Sequence, residues 1–119
     1  MAKTFSINAN MISYEDFKKL EIKIGKIISA EKIPDTDKLL LLKADFAEES
    51  PRQIVSGIAE HFPDPASLIG VKCAFAANLE PRIIRGYESG GMILAVGGGD
   101  SPFSLLKTDT NTREGSLVR

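Results

Sequence analysis

The sequence predicts an all-β domain, on three observations. Short apolar segments recur along the chain, each bounded by Gly, Pro or Asp clusters. Residues 20–28 alternate, with Leu20, Ile22 and Ile24 on one side and Glu21 and Lys23 on the other. Helix signals are confined to short stretches. At 119 residues the chain is long enough for one domain with a real core and too short for two.

Residues 1–12 lack a clear period and read as a loosely attached arm, with the domain proper over 13–119. Ser13-Tyr14-Glu15-Asp16 reads as a helix start: Ser13 caps, and Glu15 and Asp16 suit the positive end of the helix dipole. That helix is expected to end near Leu20. The first strand follows, with Gly25 predicting a bulge or sharp bend. Pro34 to Asp37 is a turn. Residues 39–46 form a second strand and 52–58 a third, joined as a hairpin by the acidic turn 47–51. Residues 59–68, broken by Pro63 and Pro65, predict a short irregular or helical crossover. Residues 70–77 are the fourth strand and 91–96 the fifth. Gly97 to Pro102 is a flexible turn, and the tail has strand-like ends at 103–106 and 116–118.

Five short strands with a helical piece between the third and fourth is the pattern of an OB-fold, a five-stranded barrel, here with short helices and a C-terminal extension. A small β-sandwich has a similar strand count, and strand order favours the barrel only modestly.

Composition excludes several classes. No apolar run approaches the roughly 20 residues of a membrane span, so no membrane partner is expected. The start has no extended apolar stretch of the signal-peptide kind, and the single Cys73 sits in an apolar run, so no disulfide framework exists. The expected compartment is cytoplasmic. The one histidine, His61, would have to serve any Ser56-centred hydrolase as base, and Ser56 closes an apolar strand without an elbow motif. One Cys and one His cannot supply a typical zinc site, and Asp35 and Asp37 lack further ligands. Gly97-Gly98-Gly99 is not followed by Lys-Ser/Thr and is no P-loop. Neither catalysis nor a cofactor is expected.

Net charge is −1. Residues 18–43 nevertheless hold seven lysines against four acids, whereas Asp45, Glu48, Glu49, Glu60 and Asp64 face only Arg52 over 45–64. Both ordinary solvated strand edges and a molecule with one mildly basic face fit these counts.

The most informative segment is 78–92. It sets Arg82, Arg85, Asn78, Ser89 and three glycines between two apolar runs, and reads as a long loop joining buried strands. Loops on rigid scaffolds tend to carry function. Arginine forks suit phosphate, and Lys38 adds a further cation. Asn78 and Ser89 can hold a base edge or sugar, and Met92 with Phe75 can offer an apolar face to a base. Each residue alone has a structural explanation: Asn78 as a loop cap, Ser89 as a strand-end partner, Met92 as core. Together they favour a ligand site.

The motifs Ile22-Lys23-Ile24-Gly25-Lys26-Ile27, Asp37-Lys38-Leu39, Ser56-Gly57-Ile58, Asn78-Leu79-Glu80-Pro81-Arg82, Ser89-Gly90-Gly91-Met92 and Gly115-Ser116 resemble the tRNA-binding domain family. That domain occurs at the C-terminus of methionyl-tRNA synthetases, as their separate beta subunit, and as free-standing structure-specific tRNA-binding proteins. The resemblance covers roughly residues 12–119. It implies an OB-fold and a homodimer built partly through the C-terminal extension. It also implies non-catalytic binding of tRNA by shape and backbone. Carried over position by position, it implies tRNA contacts from Lys23, Lys38, Asn78, Arg82, Arg85, Ser89 and Met92. The family often has arginine where Lys23 stands, so a bidentate fork is lost there. It often has lysine where this chain has Glu80 or Ile83, so a weaker positive potential and salt-sensitive binding are expected. The start at Met1 suggests a free-standing protein or a trans-acting subunit of methionyl-tRNA synthetase, with the catalytic chain as a further partner. The alternative is a peptide-binding dimer like the export chaperones of the same superfamily.

Overall fold

The computed structural model describes residues 10–98 and 100–119. Most of the expected N-terminal arm, residues 1–9, lies outside the described residues. The helix α1 spans Tyr14–Lys19, capped by the Ser13 hydroxyl, which accepts from the Asp16 amide at 3.0 Å. The strands are β1 Ile22–Lys32, β2 Leu40–Asp45, β3 Arg52–Ser56, β4 Lys72–Ala76, β5 Arg82–Ile84, β6 Tyr87–Ser89, β7 Met92–Ile93, β8 Ala95–Gly98 and β9 Ser101–Leu105. Two turns of 3-10 helix, Ala59–His61 and Pro65–Leu68, make the crossover from β3 to β4.

Five strands form one curled antiparallel sheet in the order β3-β2-β1-β4-β7. This is the half-barrel of an OB-like fold. Its inner side is set by alternation: Leu40, Leu42 and Ala44 of β2 are buried while Lys43 is exposed. Ile27, Leu42, Ile54, Leu68 and Phe75 complete a core centred on an edge-to-face pair, Phe46 and Phe75, with ring centroids 5.2 Å apart.

Three sequence expectations change. The bulge in β1 falls between Ile27 and Ser29, not at Gly25. Gly25 is instead where the two rings press on the strand: a Cβ there would lie 2.8 Å from the Phe46 ring. The fifth strand breaks at Leu94. Met92–Ile93 stays in the sheet, and β8 leaves to pair with β9 as a separate hairpin. Residues 78–92 are not an open loop: β5 and β6 pair with Arg82 opposite Ser89, Ile83 opposite Glu88 and Ile84 opposite Tyr87.

The C-terminal extension belongs to the barrel. The amides of Gly115 and Val118 donate to the carbonyls of Ile24 and Ile22, each at 2.7 Å, and the Ser116 carbonyl accepts from Ile24. Gly115 has φ +84°, and a Cβ there would collide with the Phe46 carbonyl oxygen. Burial pushes the Cys73 thiol up to about 12, against a small opposing pull from Lys107.

Candidate nucleic-acid interface

The free edge of β3 decides where the site stands. β6 and the glycines after it lie against that edge. The Gly90 amide donates to the Gln53 carbonyl at 2.8 Å, and the Gln53 amide side chain donates to the Glu88 carbonyl at 3.0 Å. Between them the ladder is completed by a side chain. The Val55 amide donates to the Ser89 hydroxyl at 3.0 Å, and that hydroxyl donates to the Gly91 carbonyl at 3.1 Å. Ser89 is 5% exposed. Its hydroxyl stands in for a backbone carbonyl and fastens the β5–β6 hairpin to the barrel.

Arg52 makes the second fastening, one that sequence reading missed. Its guanidinium donates to the carbonyls of Ala77 and Gly90 and grips Glu48 through two bonds, Nε to Oε1 at 2.8 Å and Nη2 to Oε2 at 2.6 Å. The hydrogen bond from Arg52 holds the Glu48 carboxyl below its usual range, and Glu48 raises the Arg52 guanidinium in return. The only sequence signal was the spacing of four between opposite charges, which also fits an ordinary surface pair.

Asn78 fixes the other end of the segment. Its side-chain oxygen accepts from the Glu21 amide at 2.7 Å and its nitrogen donates to the Lys19 carbonyl at 2.6 Å, tying the close of α1 to the approach to β5. Asn78 and Ser89 thus have their hydrogen bonds to backbone within the chain. Phe75 is fully buried and offers no face to a base.

The hairpin tip is preorganised. Arg85 and Gly86 both have positive φ, +52° and +85°, in a two-residue turn of the type that matches strand twist. Glycine suits the second position. Arginine at the first holds a left-handed backbone at a cost of roughly 1 kcal/mol. The cation is therefore placed at the tip against local preference. Arg82, Arg85 and Lys38 are all exposed, and none of the three side chains forms an ion pair or hydrogen bond among the described residues.

Lys38 and Arg85 face one open cleft of about 420 Å³, also lined by Asp35, Thr36, Asp37 and Leu39. The loop bearing Lys38 is held by its backbone: the Lys38 carbonyl accepts from the Ala59 amide, and the Ile33 amide donates to Leu39. The two aspartates offset the charge of Lys38 and Arg85 within the cleft, and Arg82 lies outside its lining on β5. Met92 is half exposed on β7. Lys23 is outside the cleft lining; its ammonium lies 3.5 Å from Glu21. His61 stacks on Phe103 with centroids 3.9 Å apart. Among the described residues no group of three or more His, Cys, Asp or Glu is placed to hold a metal, and no helix is long and apolar enough to cross a membrane.

The geometry has known counterparts. A methionine–tRNA ligase of Enterococcus faecalis is 40% identical over 95% of this chain, and one of Thermotoga maritima is 42% identical over 99%. The chain spans only 17% and 18% of those two relatives' lengths. A solved MetRS-related protein of Pyrococcus horikoshii superposes with a TM-score of 0.85 at 34% identity, covering 92% of this chain and 99% of that one. The chaperone CsaA of Bacillus anthracis superposes with a TM-score of 0.79 at 26% identity, covering 92% and 99%. Residues 22–117 match the family described as "Putative tRNA binding domain", and the chain belongs to that family.

Proposed function

We propose that the chain is a non-catalytic tRNA-binding module that grips phosphate with the hairpin cations and Lys38. It works in the cytoplasm, either free-standing or as a trans-acting partner of a methionyl-tRNA synthetase catalytic chain. The observation that carries this reading is the hairpin itself: two arginines, without ion-pair or hydrogen-bond partners among the described residues, on a doubly fastened projection beside Lys38. Arg82, Arg85 and Lys38 engage phosphate, and Met92 supplies an apolar contact beside them. Asn78 and Ser89 act by positioning the segment. Lys23 adds charge from a separate place on β1.

Arg85→Asn separates fold from function. Asparagine tolerates left-handed backbone better than arginine, so the variant is expected to hold or gain stability while losing a phosphate contact. For about three phosphates per protomer, log affinity for tRNA falls with log salt with a slope of roughly −2 to −3. Arg85→Asn flattens that slope by about one. Wild-type protein that fails to bind mixed tRNA at low salt refutes the reading.

We further propose a homodimer. Helix α1 buries none of its residues. Tyr14, Phe17 and Leu20 leave apolar surface exposed beside Leu117 and Val118, around a shallow hollow of about 270 Å³. A six-residue helix is too short to be stable without tertiary support, and a second copy supplies the missing cover. Phe17→Asp with Leu117→Asp converts the expected dimer to a monomer in sedimentation equilibrium; a wild-type monomer at micromolar concentration rejects this part.

The similarity to the solved CsaA chaperones favours a second reading, peptide binding. It predicts salt-tolerant binding of extended polypeptide and no preference for tRNA.

A further inference from the structure

The outward face of the hairpin does not look like a phosphate surface. Across the β5–β6 ladder, Ile83 stands opposite Glu88, and directly opposed residues lie on the same side of the ribbon. Ile83 is 70% exposed, whereas its neighbour Ile84 is half-buried on the alternate side. The apolar side chain is flanked in sequence by Arg82 and by Arg85 at the turn, two cations without partners among the described residues. Glu88 beside it is exposed and repels phosphate from this face.

Alternation puts Arg82, like Ile84, on the other side of the ribbon, so Arg85 at the turn is the cation that can hold an RNA lying along the Ile83 face, and such an RNA meets Ile83 with something other than its backbone. A nucleobase fits: it is uncharged, its face is apolar, and the amino groups on its edge donate to a carboxylate. A base inside a continuous duplex has both faces stacked and cannot offer one. We propose that Ile83 packs on the face of an unstacked base, with Glu88 accepting from that base's edge, so that the hairpin prefers folded RNA with exposed bases to uninterrupted duplex. The inference rests on the tRNA-binding reading and adds the feature of the RNA that is recognised.

The test uses the full chain with three RNA probes, mixed tRNA, an RNA duplex with one bulged adenosine and the same duplex without the bulge, and with an extended apolar peptide beside them. Ile83→Thr keeps the branched Cβ that suits a strand and removes most of the apolar contact. It is expected to weaken tRNA and the bulged duplex by about three- to tenfold. The plain duplex and the slope against salt should stay as in the wild type. Ile83→Lys should raise affinity for the plain duplex and erase the preference for the bulge.

Equal losses on all three probes, or no loss on any, overturn the inference. So does an Ile83→Thr variant that loses binding to an extended apolar peptide while tRNA is unaffected, which would give Ile83 to a protein ligand. Absence of tRNA binding by the wild type sinks the underlying function instead. Binding without a difference between bulged and plain duplex sinks only this inference.

Discussion

Ser89→Ala separates a residue that touches a ligand from one that builds the surface a ligand touches. The hydroxyl receives the Val55 amide and donates to the Gly91 carbonyl, and Ser89 is 5% exposed. Alanine leaves the Val55 N–H buried with no acceptor, which costs about 1–3 kcal/mol. The Gly91 carbonyl loses its donor as well, but Gly91 is only half-buried whereas Val55 is buried, so the larger cost lies at Val55. A loss of about 2 kcal/mol corresponds to a fall of roughly 6–10 °C in Tm for a domain of this size. Urea titration followed by far-UV circular dichroism reads the stability. tRNA affinity is measured in parallel at a temperature where the variant remains folded. The expected result is a lower midpoint with an affinity loss of at most a fewfold. A variant as stable as the wild type that has lost tRNA binding would refute the reasoning, because Ser89 would then have to meet the RNA directly.

Three further outcomes follow from the packing. The Glu48 carboxyl is held below its usual value of 4.5 by Arg52, so its stabilising contribution is complete above that value and is lost as pH falls through the lower folded-state value. Acid unfolding of Arg52→Gln should show less of this low-pH drop, and its midpoint near pH 7 should also fall because the carbonyls of Ala77 and Gly90 lose their donor. Gly115→Ala places a methyl group against the Phe46 carbonyl at a left-handed backbone and should cost roughly 3 kcal/mol or more in urea titration; a neutral effect would mean that the tail is not docked on β1. Cys73 is buried with its thiol pushed up to about 12. At pH 8 its reaction with a thiol reagent should be limited by opening of the fold and should accelerate sharply in denaturant.

How much of this was legible in the sequence depends on how local the signal is. Ser13 announced α1, alternation announced β1, and the acidic turn announced the β2–β3 hairpin, because capping, pleating and turn chemistry act over a few residues. The hairpin at 82–89 was missed because its turn carries Arg85-Gly86 in place of the Asn-Gly or Asp-Gly that advertises such turns. The split after β7 left no mark in the apolar run at 92–96. Of the candidate site residues, Lys38, Arg82 and Arg85 could be marked out by charge, and the fold leaves all three exposed. Sequence alone leaves Asn78 and Ser89 as either structural caps or ligand contacts, because a polar side chain in a loop reads the same whether its bonds go to RNA or to backbone. Their main partners are 57 and 34 residues away in sequence, Glu21 and Val55. Such pairings are visible only once the sheet has closed.

The pairing of the tail with β1 sets a rule for the order of assembly. Ile22 and Ile24 lie between β4 on one side and residues 115–118 on the other. The first strand to leave the ribosome thus waits for nearly the last residues made. Until then its edge presents unpaired amides and carbonyls with apolar side chains around them. Contacts of such long sequence separation close slowly, and the waiting edge is the place where two nascent or partly unfolded copies would join wrongly. Removing the tail should therefore appear first as aggregation during refolding, ahead of any measured loss of equilibrium stability.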